Sequence, residues 1–240
     1  MNCSTLLPAP SACLGCRLRE MCLPAGMTDA QVEQFSQGVT SKRRIKVGQA
    51  LYQQGDTFHT IYAIRSGTLK SSLMLADSRE QVSGFHIAGE QVGLDGIAHA
   101  RHATTAIALE DTEVCAITYA GLVPLLLSMG REHVLSRLMS HEIVRDQRLL
   151  LMLGSMNAAQ RLAGFLINLA GRLKGLGYAS GEFHLRMTRA DIGSLLCMKI
   201  ETVSRMFSAF QKQRLLKVDK RHIQILDAQG LASAFAAPRT

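Results

Sequence analysis

The sequence predicts an α+β chain: a small β-roll or jelly-roll barrel, then a long helix, then a helix-turn-helix followed by a strand pair. Three observations predict it. Strand-length runs rich in Ile, Val, Thr, Tyr and Leu alternate with glycines across residues 49–117. The stretch from about Arg131 to Ser155 holds no proline and, before Gly154, no glycine, which favours one continuous helix. Past Met187, two short helical patterns flank a turn made of Cys197, Met198 and Lys199.

The chain divides by pattern into four parts. Residues 1–28 carry four of the six cysteines and three of the five prolines, and read as an irregular cysteine-rich arm. Residues 29–128 read as a small barrel that opens with a short helix from Thr28, its apolar positions being Ala30, Val32 and Phe35. Strands are expected over Gln49–Gln53, Thr60–Arg65, Thr68–Leu75, Gln81–Ile87 and Ala106–Ile117. Gly48, Gly55, Gly67, Gly89, Gly93 and Gly96 fall beside them, where turns need positive φ or close backbone approach. Many short strands at this spacing make a roll or jelly roll the natural closure.

Residues 129–156 form the expected dimerisation helix. Met139, Ile143, Leu150 and Leu153 follow the alternating four-then-three spacing of a coiled-coil seam, with Asp146 in the slot between Ile143 and Leu150. A helix this long must bury its stripe, and a second copy of the chain is the economical partner; packing against its own barrel is the alternative. In a self-paired seam Asp146 faces a like charge, which makes it a candidate brake on dimerisation.

Residues 157–240 carry the DNA-reading pattern. Thr188 is an N-cap candidate with Asp191 three residues on, a loose capping box. In the second helix Ile200, Val203, Met206, Phe207 and Phe210 recur at helical spacing and are assigned to the core. The opposite face presents Glu201, Thr202, Ser204, Arg205 and Ser208. Arg can fork onto guanine O6 and N7, Glu can accept from cytosine N4, and Ser reaches several edges. Glu201, Thr202, Ser204 and Arg205, with Thr188 and Arg189 from the first helix, are the candidate DNA contacts. Beyond them, Leu216–Val218 and Ile223–Ile225 read as a hairpin whose basic tip, Lys220 and Arg221, can touch phosphate.

Composition narrows the function. Apolar residues make up 47% of the 240-residue chain and charged residues 19%, enough to build a core and too apolar for a largely disordered chain. The formal charge of +8 favours polyanionic partners such as nucleic acid. No apolar stretch approaches the roughly 18–20 residues that span a bilayer. The opening MNCSTLLPAPSAC has no basic n-region, and Pro8 and Pro10 break its apolar run, so no membrane is expected and a cytoplasmic protein is. In that compartment thiols stay reduced, so clustered cysteines point to metal or redox chemistry.

Cys13, Cys16 and Cys22 form C-x2-C-x5-C, three thiols within ten residues, and a fourth ligand must come from elsewhere. All-sulfur ligation suits an iron-sulfur cluster or zinc. On the residues alone, Cys3 and Cys115 stand equal as the fourth ligand, since Cys115 lies in the apolar run Val114–Ile117, where a buried free cysteine is also at home.

From Cys13 to about residue 230 the chain resembles the Fnr branch of the Crp/Fnr family, to which Anr-type anaerobic regulators also belong. The stretches that carry the resemblance are CLGCRLREMCLP (13–24), LYQQGDTFHTIYAIRSGTLKS (51–71), GFHIAGEQVGLDGI (84–97), EIVRDQRLLLML (142–153) and TRADIGSLLCMKIETVSRMFSAFQ (188–211). The resemblance implies a double-stranded β-roll sensor domain of the cyclic-nucleotide-binding kind, a dimerisation helix and a C-terminal winged helix-turn-helix. It implies an oxygen-labile [4Fe-4S] cluster on Cys13, Cys16, Cys22 and Cys115, whose loss weakens a homodimer through a switch that includes Asp146. It also implies that Glu201, Ser204 and Arg205 read TTGAT-like half-sites of a palindrome, and that surface loops contact RNA polymerase. Two departures stand out: Cys3 offers a rival ligand, and Cys197 and Lys199 replace the glycine and threonine of close relatives. Where the Crp branch grips cyclic AMP with an Arg-Ser pair, this sequence has His102 and Ala103, so nucleotide binding is disfavoured, with Arg101, Thr104 and Thr105 nearby.

The expected function is an oxygen-responsive, non-enzymatic regulator of low-oxygen gene expression, acting as activator or repressor. The alternative within the same fold is a zinc or thiol-redox regulator. A cupin-like enzyme is the alternative from another class, and it finds little support because His86, His99 and His102 lack a metal-binding spacing.

Overall fold

A computed structural model describes residues 13–23, 25–179 and 181–236. The chain forms two compact units that divide between Ser140 and His141.

In the first unit, α1 (Asp29–Gly38) leads into β1 (Val39–Ile45), β2 (Ala50–Tyr52), β3 (Thr60–Ser66), β4 (Thr68–Met74), β5 (Glu80–Ile87), β6 (Gln91–Val92), β7 (Thr105–Ala108) and β8 (Thr112–Thr118), followed by α2 (Tyr119–Ser128). The strands make two four-stranded antiparallel sheets, ordered β1-β8-β3-β6 and β2-β7-β4-β5, the double-stranded roll that the sequence predicts. Alternation along β3 and β8 decides what each face meets. Tyr62, Ile64, Val114 and Ala116 point into the roll with Leu51, Leu69 and Val92. Ile61, Ala63 and Ile117 point out, where Val32, Phe35, Leu122 and Leu126 cover them. Cys115 shares that outer, helix-covered face. The β3–β4 reversal needs glycine, because Gly67 has φ of +95° and a Cβ there would sit 2.7 Å from Thr112 Cα.

Several elements differ from the sequence reading. The run Ala106–Ile117 is two strands, broken at Leu109–Asp111, where Thr112 Oγ donates to the Glu110 carbonyl at 2.8 Å. β1, β6 and α2 were not anticipated: the stretch Lys42–Arg44 is charged and exposed, β6 has two residues, and Pro124 lies inside α2. Of the three apolar positions read in α1, Ala30 is exposed, whereas Val32 and Phe35 are buried.

A single helix, α3 (His133–Ser155), crosses the boundary between the units. Val134 is buried in the first unit's core. The second unit continues with α4 (Ala158–Gly175), β9 (Glu182–His184), α5 (Arg189–Leu195), α6 (Ile200–Lys212), β10 (Leu216–Asp219), β11 (His222–Ile225) and α7 (Ala228–Ala236). Asn157 and Gln160 form a full capping box at the start of α4. Arg161 donates to the carbonyls of Leu153 (2.6 Å), Met156 (2.9 Å) and Leu196 (3.0 Å), tying the end of α3 to the helix-turn-helix. The hairpin of β10 and β11 is present as expected, with β9 as a third strand in the order β10-β11-β9.

Candidate metal centre and nucleic-acid interface

The irregular segment that begins at Cys13 folds back in short turns, with Cys16 N–H on the Cys13 carbonyl (3.2 Å) and Arg19 N–H on the Cys16 carbonyl (3.1 Å). A 3-10 turn, Arg19–Met21, delivers Cys22. These turns bring Cys13, Cys16 and Cys22 to one cavity whose other wall is Cys115 on β8, with Lys42 and Arg65 beside it. Cys115 is paired on both sides, against Lys42 of β1 and Ala63 of β3. Burial pushes the Cys22 thiol up to about 12, and the other three cysteines add to the rise. Burial likewise pushes Cys115 up to about 11. Free of metal, both are therefore protonated at neutral pH. Gln91 Nε2 lies 4.0 Å from Cys22 Sγ. A hydrogen bond to Glu113 at 2.5 Å holds the Arg65 guanidinium above its usual range, which keeps a cation beside the thiols.

Among the described residues no three potential ligands are gathered tightly enough to hold a single ion. A zinc ion with bonds of about 2.3 Å to sulfur needs its thiolates about 3.8 Å apart. A four-iron cluster attaches one thiolate per iron and tolerates a wider set. The donor chemistry, four thiols with cations at the rim, fits such a cluster. Cys3 lies outside the described residues.

In the second unit the Thr188–Asp191 capping box forms as expected, with Asp191 N–H on Thr188 Oγ (3.0 Å) and Thr188 N–H on Asp191 Oδ2 (2.9 Å). Gly193 lets the two helices meet: its carbonyl accepts from Met198 N–H at 2.8 Å, and a Cβ on it would lie 2.6 Å from the Met198 carbonyl. Cys197 takes φ of 51° in the turn, a left-handed conformation that glycine adopts more cheaply. Val203, Phe207 and Phe210 anchor α6 in the core, and Glu201, Ser204, Arg205 and Ser208 stand exposed on its other face. Thr202 is half-buried and its hydroxyl accepts from Arg205 at 3.3 Å.

Two placements depart from the sequence reading. Ile200, assigned to the core, is 47% exposed at the first position of α6, because the turn sets it beyond the packed stripe. Arg189, a candidate DNA contact, turns inward: its guanidinium lies 3.2 Å from the Phe207 ring centroid, and burial lowers its pKa to about 10.

On α3, Met139, Ile143, Asp146 and Leu150 are all exposed, and Leu153 is half-buried. The exposed apolar side chains also include Val144 and Leu151. Inside the roll, His102 is buried, stacks on Tyr52 at 3.8 Å and sets Nδ1 3.3 Å from Asp95 Oδ1. The other Asp95 oxygen accepts from Thr104 N–H and Oγ, both at 2.9 Å, while Arg101 donates to the Gly55 carbonyl.

Comparison with known proteins agrees with both halves. A cyclic nucleotide-binding domain profile matches residues 42–128, and a Crp-like helix-turn-helix domain profile matches residues 160–234. The transcriptional regulatory protein btr of Bordetella pertussis is 39% identical over 94% of this chain and 94% of its own length. The chain belongs to the Crp/Fnr family. The fumarate and nitrate reduction regulatory protein of Yersinia pestis is 39% identical over 95% of this chain and 91% of its own. FixK2 from Bradyrhizobium japonicum matches in structure with a TM-score of 0.76 at 27% identity, covering 83% of this chain and 98% of that one. Members of the Crp/Fnr family are DNA-binding transcription regulators that act as dimers, not enzymes. No helix among the described residues of this Crp/Fnr protein is long and apolar enough to cross a membrane.

Proposed function

We propose that this Crp/Fnr protein is a cytoplasmic, oxygen-responsive regulator of anaerobic and microaerobic gene expression. Its sensor is an oxygen-labile [4Fe-4S] cluster on Cys13, Cys16, Cys22 and Cys115. The observation that carries the reading is that thiols from a loop and from a distant strand line one cavity. The name of the Yersinia pestis relative, which refers to fumarate and nitrate reduction, supports the anaerobic role.

When bound, the cluster supplies an oxygen-sensitive link between the loop and the barrel. The chain's own residues do the rest. Cys115 fixes one corner of the site to β8, and Arg65 and Lys42 offset negative charge there. Met139, Ile143 and Leu150 provide the apolar seam for a second copy, and Asp146 opposes pairing until loading favours the dimer. Dimerisation then places two copies of α6 for successive major grooves. Glu201, Ser204 and Arg205 read base edges of TTGAT-N4-ATCAA-like palindromes, Thr202 and Thr188 support them, and Lys220 and Arg221 contact phosphate. Arg189 serves by stacking under α6, and surface loops engage RNA polymerase to activate or repress.

The test is an anaerobic visible spectrum with iron and labile sulfide analysis, followed by air exposure and gel shift on that duplex. A broad visible band that bleaches in air together with loss of DNA binding is expected. Zinc without sulfide, or equal binding in both states, overturns the oxygen-sensing half.

A further inference from the structure

The proposed ligand Cys22 is connected to the first turn of α3 by three consecutive hydrogen-bonded steps. The Cys22 carbonyl accepts from Ala25 N–H at 3.0 Å, which closes a turn. One residue on, the Gly26 carbonyl accepts from Arg131 Nη2 at 2.5 Å. The Arg131 carbonyl in turn accepts from Val134 N–H at 3.0 Å, at the start of α3.

Side chains reinforce the route. Gln31 Oε1 accepts from Thr28 N–H at 3.1 Å and from Arg131 Nη2 at 3.5 Å, while its Nε2 donates to the Met129 carbonyl at 3.3 Å. Nearer the cysteines, Arg19 donates to Asp29 (2.7 Å) and to the Met27 carbonyl (2.8 Å), fixing the Cys16–Cys22 segment to the start of α1. Beneath these bonds Leu23, Met27, Val32 and Val134, each almost wholly buried, share one apolar cluster. A packed, hydrogen-bonded chain of this kind can bias a helix end only if one arrangement is exchanged for another, because close-packed interiors deform poorly.

We infer that Arg131 is the positioning residue through which the state of the cysteine segment reaches the dimerisation helix. Holding Cys22 in place holds Gly26, and through Arg131 it orders the first turn of α3; release of Cys22 frees that turn. The inference rests on the cluster reading above.

The test uses the full chain, wild type and Arg131→Leu, each reconstituted anaerobically and each in the metal-free form. Iron and sulfide content are measured first, then the monomer–dimer constant by sedimentation. The wild type is expected to dimerise far more tightly when loaded. Arg131→Leu is expected to load equally and to lose about tenfold of that loaded-to-free ratio, within the usual range for coupled sites. Arg131→Lys, which keeps one donor, should recover part of it. An unchanged ratio in a normally loaded Arg131→Leu protein overturns the inference alone, and a wild type that takes up no iron and sulfide overturns the cluster reading with it. Hydrogen exchange at the Val134 amide of the wild type gives a second measurement that needs no variant: faster exchange in the metal-free form supports the route, and equal exchange overturns it.

Discussion

The cysteine segment and the recognition helix are both short, yet they are held by different means. Helix α6 is fixed by its own packing: Val203, Phe207 and Phe210 are buried beneath it, and α5 in front of it carries a complete capping box. The segment from Cys13 to Cys22 has one 3-10 turn, packs only partly on the apolar cluster through Cys13, Leu14 and Cys22, and is tied to its surroundings by Arg19. A helix anchored by hydrophobic burial keeps its shape independently of the cysteine segment, whereas a segment held by polar bonds and partial packing is easier to displace. On the proposed function, that difference would put regulation on the arm and the dimer seam and leave α6 formed.

The largest effect should come from removing the fixed corner of the sensor. Cys115→Ala is expected to reduce iron and sulfide to background while leaving the melting of the roll within the small range of a near-neutral substitution, about 1 kcal/mol; unchanged iron content would end the four-cysteine assignment. Next, Phe207→Ala removes both the core anchor and the ring beneath Arg189, and should destabilise the second unit by about 3–5 kcal/mol in denaturant melts. A loss well below 1 kcal/mol would mean that α6 is not held by its packing.

Arg205→Ala should keep the fold and weaken binding to the palindrome by about 1–3 kcal/mol, with relaxed preference at one base pair, measured by competition gel shift. Equal discrimination by mutant and wild type would remove Arg205 from the reading surface. Smallest is Asp146→Ala, which should tighten the aerobic dimer by a few-fold in sedimentation, because exposed like charges across a seam repel weakly in water. Identical constants would count against the brake.

Much of this was legible in the sequence, for physical reasons that differ by element. Strong alternation and glycine turns mark β3, β4 and β5, and the proline-free run marks α3. Arg43 and its charged neighbours conceal β1, because an edge strand with solvent-facing cations has no apolar period to read. Pro124 hides α2, and two residues are too few to announce β6. At the sites, spacing alone gathered Cys13, Cys16 and Cys22 but left Cys115 level with Cys3, since pairing of β8 with β1 and β3 is a tertiary fact. The inward turn of Arg189 escaped for the same reason: only the fold brings Phe207 beneath it. Ile200 misled because helical periodicity was applied up to the helix's first residue, where the face it covers is not yet set. Arg131 carried no signal beyond its place at the expected start of the long helix, which the structure begins at His133.

Cys115 sits on a strand hydrogen-bonded along both edges, so one corner of the thiol set cannot wander. The remaining three corners travel together on a ten-residue tether. On the proposed function, loading the site would amount to docking one strap onto a strand already fixed on both edges, with the roll folded beforehand.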